Sequence, residues 1–197
     1  MCSGYAAEID WQESRDYSKV TEREFLREAA WVILSAGMSE RTIRRVFDAI
    51  TCAFCNWDSG KVIANNRTRC ISRARGAFGH DAKLRAIAEV AERIAHDGFV
   101  QVKQQMLDGG PWAFVQFSYI GPVTAFHLAK NLGMDFVKAD RHLVRVARAA
   151  GFETPGDLCR EIATITGDRV GTVDLVIWRF ATLDSNYERV FGCETAM

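Results

Sequence analysis

Apolar positions along this chain recur at intervals of three and four, and no stretch alternates polar and apolar residues long enough to suggest a strand, so the pattern predicts an all-α fold. Thr21-Glu22-Arg23-Glu24 has the form of a capping box, and Phe25, Leu26, Ala29, Ala30, Ile33 and Leu34 follow it as one apolar face running up to Gly37. Ser39 is placed to cap the next helix, which would bury Ile43, Val46, Phe47 and Ile50. Residues 56 to 80 are weaker in period and richer in Asn, Arg, Gly and Ser, so short helices and loops are expected there. From Asp81 a clear helical pattern presents Leu84, Ile87, Ala88, Ala91, Ile94 and Ala95 and stops at Asp97-Gly98, and a shorter helix is expected around Val100 to Leu107.

Gly109-Gly110-Pro111 then breaks the chain, with Pro111 suited to the first position of a short helix ending near Phe117. Pro122 repeats the arrangement after Gly121. Only Ser118-Tyr119-Ile120-Gly121 separates the two helices, which makes them a helical hairpin. The Pro122 helix should end at Asn131-Leu132-Gly133. Further helices are expected from Asp140 to Gly151, from Thr154-Pro155 to Gly167, and over a last segment carrying Val173, Ile177 and Phe180. No internal repeat or low-complexity tract interrupts this order.

Composition narrows the class. With 197 residues and 48% hydrophobic content the chain can bury one or two substantial cores, and disorder is disfavoured. Its 25 basic and 25 acidic residues cancel, so any nucleic-acid binding has to come from a local basic face. Arg67, Arg69, Arg73 and Arg75 crowd one polar segment, and Arg141, Arg145 and Arg148 follow Asp140 at helical spacing. Glu8, Asp10, Glu13 and Asp16 fill a start that lacks the basic and apolar runs of a secretion signal. Apolar runs such as Ala29 to Ala36 fall well short of the roughly 20 residues of a membrane span. A soluble, cytoplasmic protein that does not enter a membrane is expected. Cys2, Cys52, Cys55, Cys70, Cys159 and Cys193 would then be free thiols. Cys52-Ala-Phe-Cys55 is at most half a zinc site, followed only by a lone Cys70 and a lone His80.

Phe117-Ser118-Tyr119-Ile120-Gly121-Pro122-Val123-Thr124-Ala125, followed by Lys138-Ala139-Asp140-Arg141-His142-Leu143-Val144-Arg145-Val146, resembles the signature of the helix-hairpin-helix DNA glycosylase superfamily that includes endonuclease III. That signature reads roughly Leu-Pro-Gly-Val-Gly-x-x-Thr-Ala, then Val-Asp-Thr-His-Val-x-Arg-Val. Asp140 follows Val123 at close to the family's spacing, Leu34-Ser35-Ala36 resembles its Leu-Ser-Ala, and the resemblance spans about residues 25 to 180. It implies two helical lobes, residues 37–133 with the hairpin and residues 1–36 with 134–197. It also implies a monomer that binds double-stranded DNA and takes a damaged or modified base into the cleft between the lobes.

The hairpin has a physical task apart from any family. A tight turn entering a helix at Pro122 aims unpaired amides outward, and such a helix start binds phosphate without reading sequence. Ser118, Tyr119, Gly121, Val123 and Thr124 are therefore the candidate backbone grip, where a monovalent cation is compatible, and Arg141 and Arg145 are the candidate phosphate contacts. An aspartate opening a helix is ordinarily an N-cap, worth about 1 kcal/mol. The resemblance gives Asp140 a catalytic role as well: stabilising the cationic sugar as the glycosidic bond breaks and directing the attacking water. An extruded base needs aromatic or apolar walls; Trp31, Trp57, Trp112, Phe114, Phe117 and Trp178 are available, with Trp31, Trp112, Val123 and Lys138 as the pocket candidates.

Departures from the family pattern sharpen these expectations. Val123 stands where lyase members carry their Schiff-base lysine, which argues for water as the nucleophile and a monofunctional enzyme. Lys138 and Lys130 are the lysines near enough in sequence to serve as a displaced amine in a bifunctional alternative. Tyr119 replaces the first hairpin glycine, so either the turn changes or Tyr119 takes a left-handed conformation. Gly37 replaces the glutamine that fills the gap left by the flipped base. Only Cys159 and Cys193 follow Asp140, so no iron-sulfur cluster and no other cofactor is expected. The alternative from another class is a non-catalytic DNA-binding module that keeps the hairpin without the chemistry.

Overall fold

The computed structural model describes residues 5–184 together with Asn186, Tyr187 and Val190. Among them every regular element is helical, with eleven α-helices, three short 3-10 turns and no strand. Cys2 and Cys193 lie outside the described residues. Packing divides the chain into two compact units, one formed by Ser18–Leu128 and the other by the described residues of Met1–Tyr17 and Ala129–Met197. The resemblance places its divisions at 36/37 and 133/134. The packing divisions differ because α2 (Glu22–Ser35) packs on helices of the first unit, while the last turn of α8 (Pro122–Asn131) goes with the second, where Lys130 pairs with Asp174.

In the first unit α2 starts at the capping box, with Thr21 Oγ1 accepting from Glu24 N and Glu24 Oε2 accepting from Thr21 N at 2.9 Å. Its apolar face is sealed: Phe25 is fully buried against the rings of Phe99, Phe114 and Phe117 at 5.9 to 6.3 Å. Ser39 caps α3 (Glu40–Ala53), which buries Ile43, Phe47 and Ile50 and leaves Val46 half-buried. The weakly periodic segment holds two short helices, α4 (Gly60–Asn65) and α5 (Arg67–Ala74). A close approach explains the glycine at the head of α4: a Cβ on Gly60 would lie 2.7 Å from the carbonyl oxygen of Ala91 in α6 (Asp81–Asp97). After α7 (Phe99–Gly109) the helix expected from Pro111 is a 3-10 turn, Gly110–Gln116, and α8 begins at Pro122.

The second unit opens with α1 (Ala6–Ser14), which the apolar pattern does not single out, and continues with α9 (Arg141–Ala149), α10 (Pro155–Thr166) and α11 (Val170–Leu183). Leu143, Val146, Leu158, Cys159, Val173 and Ile177 form its core. Side-chain bonds hold α1 to α11: Arg179 donates to Glu8 at 2.7 Å, and Thr172 donates to Glu13. The end of α8 is a Schellman turn, with Gly133 N donating to Lys130 O and Met134 N to Ala129 O. Gly133 has φ 92°, and a Cβ there would meet the backbone nitrogen of Asp16 at 2.7 Å, so only glycine fits. No helix among the described residues is long and apolar enough to cross a membrane.

Candidate functional site

The hairpin turn keeps a left-handed residue where the signature has glycine: Tyr119 has φ 65°. Its neighbours hold it there. The exposed Tyr119 ring stands edge-on to His80 at 5.6 Å, and the Lys83 ammonium lies 6.0 Å from its centroid. Lys83 is only 3% exposed, and its Nζ donates to the carbonyls of Leu34 at 2.7 Å and Ala36 at 2.6 Å. Burial pushes the Lys83 amine below the ordinary lysine range. One lysine thus closes the end of α2, beside Gly37, and stands under the hairpin tyrosine. Sequence reasoning missed it. Its signal was a lysine in register with Ile87 on the apolar stripe of α6.

The grip is narrower than the motif suggests. Gly121 N is occupied, donating to Thr124 Oγ1 at 2.8 Å, and the Thr124 hydroxyl donates back to Gly121 O at 3.0 Å. The Gly121 amide is therefore not among the outward donors expected of the turn, and Thr124 has only its own amide to offer. Pro122 has no N–H, so the amides of Val123 and Thr124 are the first-turn donors left without an intrahelical partner. Val123 is 45% exposed. Ser118 is exposed and lines a depression shared with Glu89, Arg93 and Gln116.

Of the proposed pocket walls, Trp112 is 58% exposed and packs edge-on against Phe126, one turn along α8 from Val123, at 5.4 Å. Trp31 is half-buried instead, 5.0 Å from Phe47 and with the Arg44 guanidinium over its ring, which gives it a packing role between α2 and α3. Phe114, Phe117 and Trp57 are core. Trp178, half-buried, carries Arg179 over its ring.

In the second unit Asp140 is the N-cap of α9, and its Oδ1 accepts from His142 N at 2.9 Å and Leu143 N at 3.2 Å. Its Oδ2 makes no hydrogen bond among the described residues, and the side chain is half-buried. One oxygen is fixed while the other is left over. The segment before it is anchored from below: Asp174 Oδ2 accepts from Lys138 N at 3.2 Å and from Lys130 Nζ at 2.5 Å, and Lys138 O in turn accepts from Asp140 N at 2.7 Å. Asp174 is 1% exposed; burial raises its carboxyl above the usual range, with Lys130 pulling the other way. A lone acid inside Val173-Asp174-Leu175-Val176-Ile177 was the available signal.

Lys130 is therefore no surface lysine, but half of a buried ion pair, and cannot reach out as an amine nucleophile. Lys138 is half-buried. The basic clusters are also thinned: Arg67 pairs with Glu92 at 2.9 Å and Arg75 with Asp81 at 2.5 Å, leaving Arg69 and Arg73 exposed on α5 without an ion-pair partner among the described residues. Arg141, Arg145 and Arg148 are exposed on α9, with the Arg141 guanidinium 3.4 Å from the His142 ring. The hairpin belongs to the first unit; Asp140, Arg141, Arg145 and Lys138 belong to the second. No protein-family model matches the chain, and no curated protein matches it.

Proposed function

We propose that this protein is a monofunctional DNA glycosylase of the helix-hairpin-helix type, hydrolysing the bond between deoxyribose and a damaged or modified base in double-stranded DNA. The observation that carries the reading is Asp140, a helix-capping carboxylate with one oxygen committed to two backbone amides and the other without a hydrogen bond among the described residues. A cap alone needs only the first oxygen. The second can hold a water for attack at the anomeric carbon and stabilise the positive charge that the sugar develops as the base departs. Support also comes from the hairpin, where Tyr119 at φ 65° retains the signature's left-handed turn and the first-turn amides of α8 suit a phosphate. Val123 at the lyase position and the buried ion pair of Lys130 favour water over an amine as the nucleophile.

The test is a set of duplexes, each with a single alkylated, oxidised, deaminated or otherwise modified base. The protein should leave an intact strand with an abasic site on at least one of them, broken only by hot alkali, and borohydride should trap no covalent adduct. Duplex binding without base release anywhere in the set would replace this reading with that of a non-catalytic module.

A further inference from the structure

Between α3 and α4 three successive residues are left-handed, and none is glycine: Cys55 at φ 57°, Asn56 at 51° and Trp57 at 59°. A Cβ makes that region unfavourable, so a run of three persists only where the surroundings impose it. Here Trp57 imposes it. Its ring is 1% exposed, lies 5.5 Å from Phe54 and 6.1 Å from Phe47, and its Nε1 donates to Thr51 Oγ1 at 3.0 Å. The consequence is a thiol pair, with Cys55 Sγ 3.8 Å from Cys70 Sγ of α5. Cys55 is half-buried, Cys70 is buried, and Cys52 is exposed one turn back on α3. Neither the hairpin nor Asp140 makes use of this clamped turn.

We infer that Cys55 and Cys70 are an oxidation site, closing to an intramolecular disulfide when the protein meets a peroxide. The step balances without a cofactor. The Cys55 thiolate attacks one oxygen of hydrogen peroxide, the O–O bond breaks, and hydroxide leaves as water with the proton that Cys55 gave up. The Cys70 sulfur then attacks the sulfur of the resulting Cys55 sulfenic acid. The S–S bond forms as the S–O bond breaks, and the Cys70 proton leaves with the hydroxyl as a second water. Two thiols and one peroxide become one disulfide and two waters. Cys55 reacts first because it is the more accessible of the two. Burial, and after it the contact with Cys55, pushes the Cys70 thiol up to about 12 against the opposing pull of Arg73 and Arg69, so it stays protonated while Cys55 meets the peroxide, and only its placement against Cys55 brings it into the second step. The bonded sulfurs must close to about 2.05 Å, a small movement from their present separation.

The experiment treats the full chain with hydrogen peroxide, alkylates the remaining thiols after unfolding, and maps it by mass spectrometry without reductant. Trypsin releases residues 46–61, carrying Cys52 and Cys55, and residues 70–73, carrying Cys70. The expected product is these two peptides joined, lost on treatment with dithiothreitol. The decisive sample is Cys52→Ser, an exposed substitution that leaves Cys55 as the sole thiol of its peptide: the cross-link should persist there and be absent in Cys55→Ser and Cys70→Ser. The oxidised protein should also melt at a higher temperature than the reduced one. A link between Cys52 and Cys55, Cys55 carried to sulfinic acid with Cys70 still alkylated, or full recovery of both thiols would each overturn the inference.

Discussion

The Lys130 ammonium and the Asp174 carboxylate meet at 2.5 Å with both side chains shut away from solvent, directly beneath the segment that leads to Asp140. Removing one partner strands the other's charge in the core. Lys130→Met should therefore lower the free energy of unfolding by about 3 to 5 kcal/mol, read from urea denaturation. Adding Asp174→Asn should restore part of that loss, because the amide oxygen can still accept from Lys138 N. A loss below about 1 kcal/mol in the single variant would show that the pair is not buried as described.

Lys83 supplies a pH signature. Burial lowers its pKa in the folded chain below the unfolded value of about 10.4, so between those two values the unfolded chain binds more protons. Stability must then rise with pH across that window, and the burial penalty is present in full below the folded pKa. Measured against Lys83→Met, the wild-type chain should gain stability as pH climbs toward 10. A difference that stays flat would mean that Lys83 titrates as in free solution.

The turn at Tyr119 separates strain from contact. Tyr119→Gly removes the cost of φ 65° but loses the ring on His80 and Lys83, so stability should change by less than about 1 kcal/mol. Tyr119→Val places a β-branched side chain in the same left-handed position and should cost about 1 to 2 kcal/mol in thermal unfolding while weakening duplex binding. Equal stability of the two variants would show that the turn relaxes freely.

Salt dependence divides the arginines. Arg141→Ala and Arg145→Ala should each reduce the slope of log affinity against log salt by about 1, as loss of a phosphate contact does. Arg67→Ala and Arg75→Ala should leave the slope unchanged, since those cations are committed to Glu92 and Asp81. Fluorescence anisotropy with a labelled duplex at several salt concentrations checks all four. A slope lowered by Arg75→Ala and not by Arg141→Ala would move the interface to α5.

What the sequence made legible was local. The capping box at Thr21, the Asp81–Asp97 helix and Asp140 as the cap of α9 depend on residues within a turn of one another, and they stand as the pattern predicts. What it hid depends on distant partners. The left-handed run Cys55–Trp57 contradicts residue preference and is imposed by the stacking of Trp57 on Phe54 and Phe47. Lys130 reads as a surface lysine until Asp174 is brought against it from 44 positions away. Arg67 and Arg75 look like free charge until Glu92 and Asp81 arrive from α6.

The chemistry proposed for Asp140 depends on one oxygen of its carboxylate, and Asp140→Asn puts that oxygen to the test. The amide keeps an oxygen to accept from His142 N and Leu143 N, so melting temperature and duplex affinity should remain close to those of the wild type. What it removes is the charge that the proposed mechanism sets against the developing cation, so base release from the preferred lesion duplex should fall by at least about 100-fold in single-turnover assays. Release at the wild-type rate from a folded, DNA-binding Asp140→Asn protein would contradict the account.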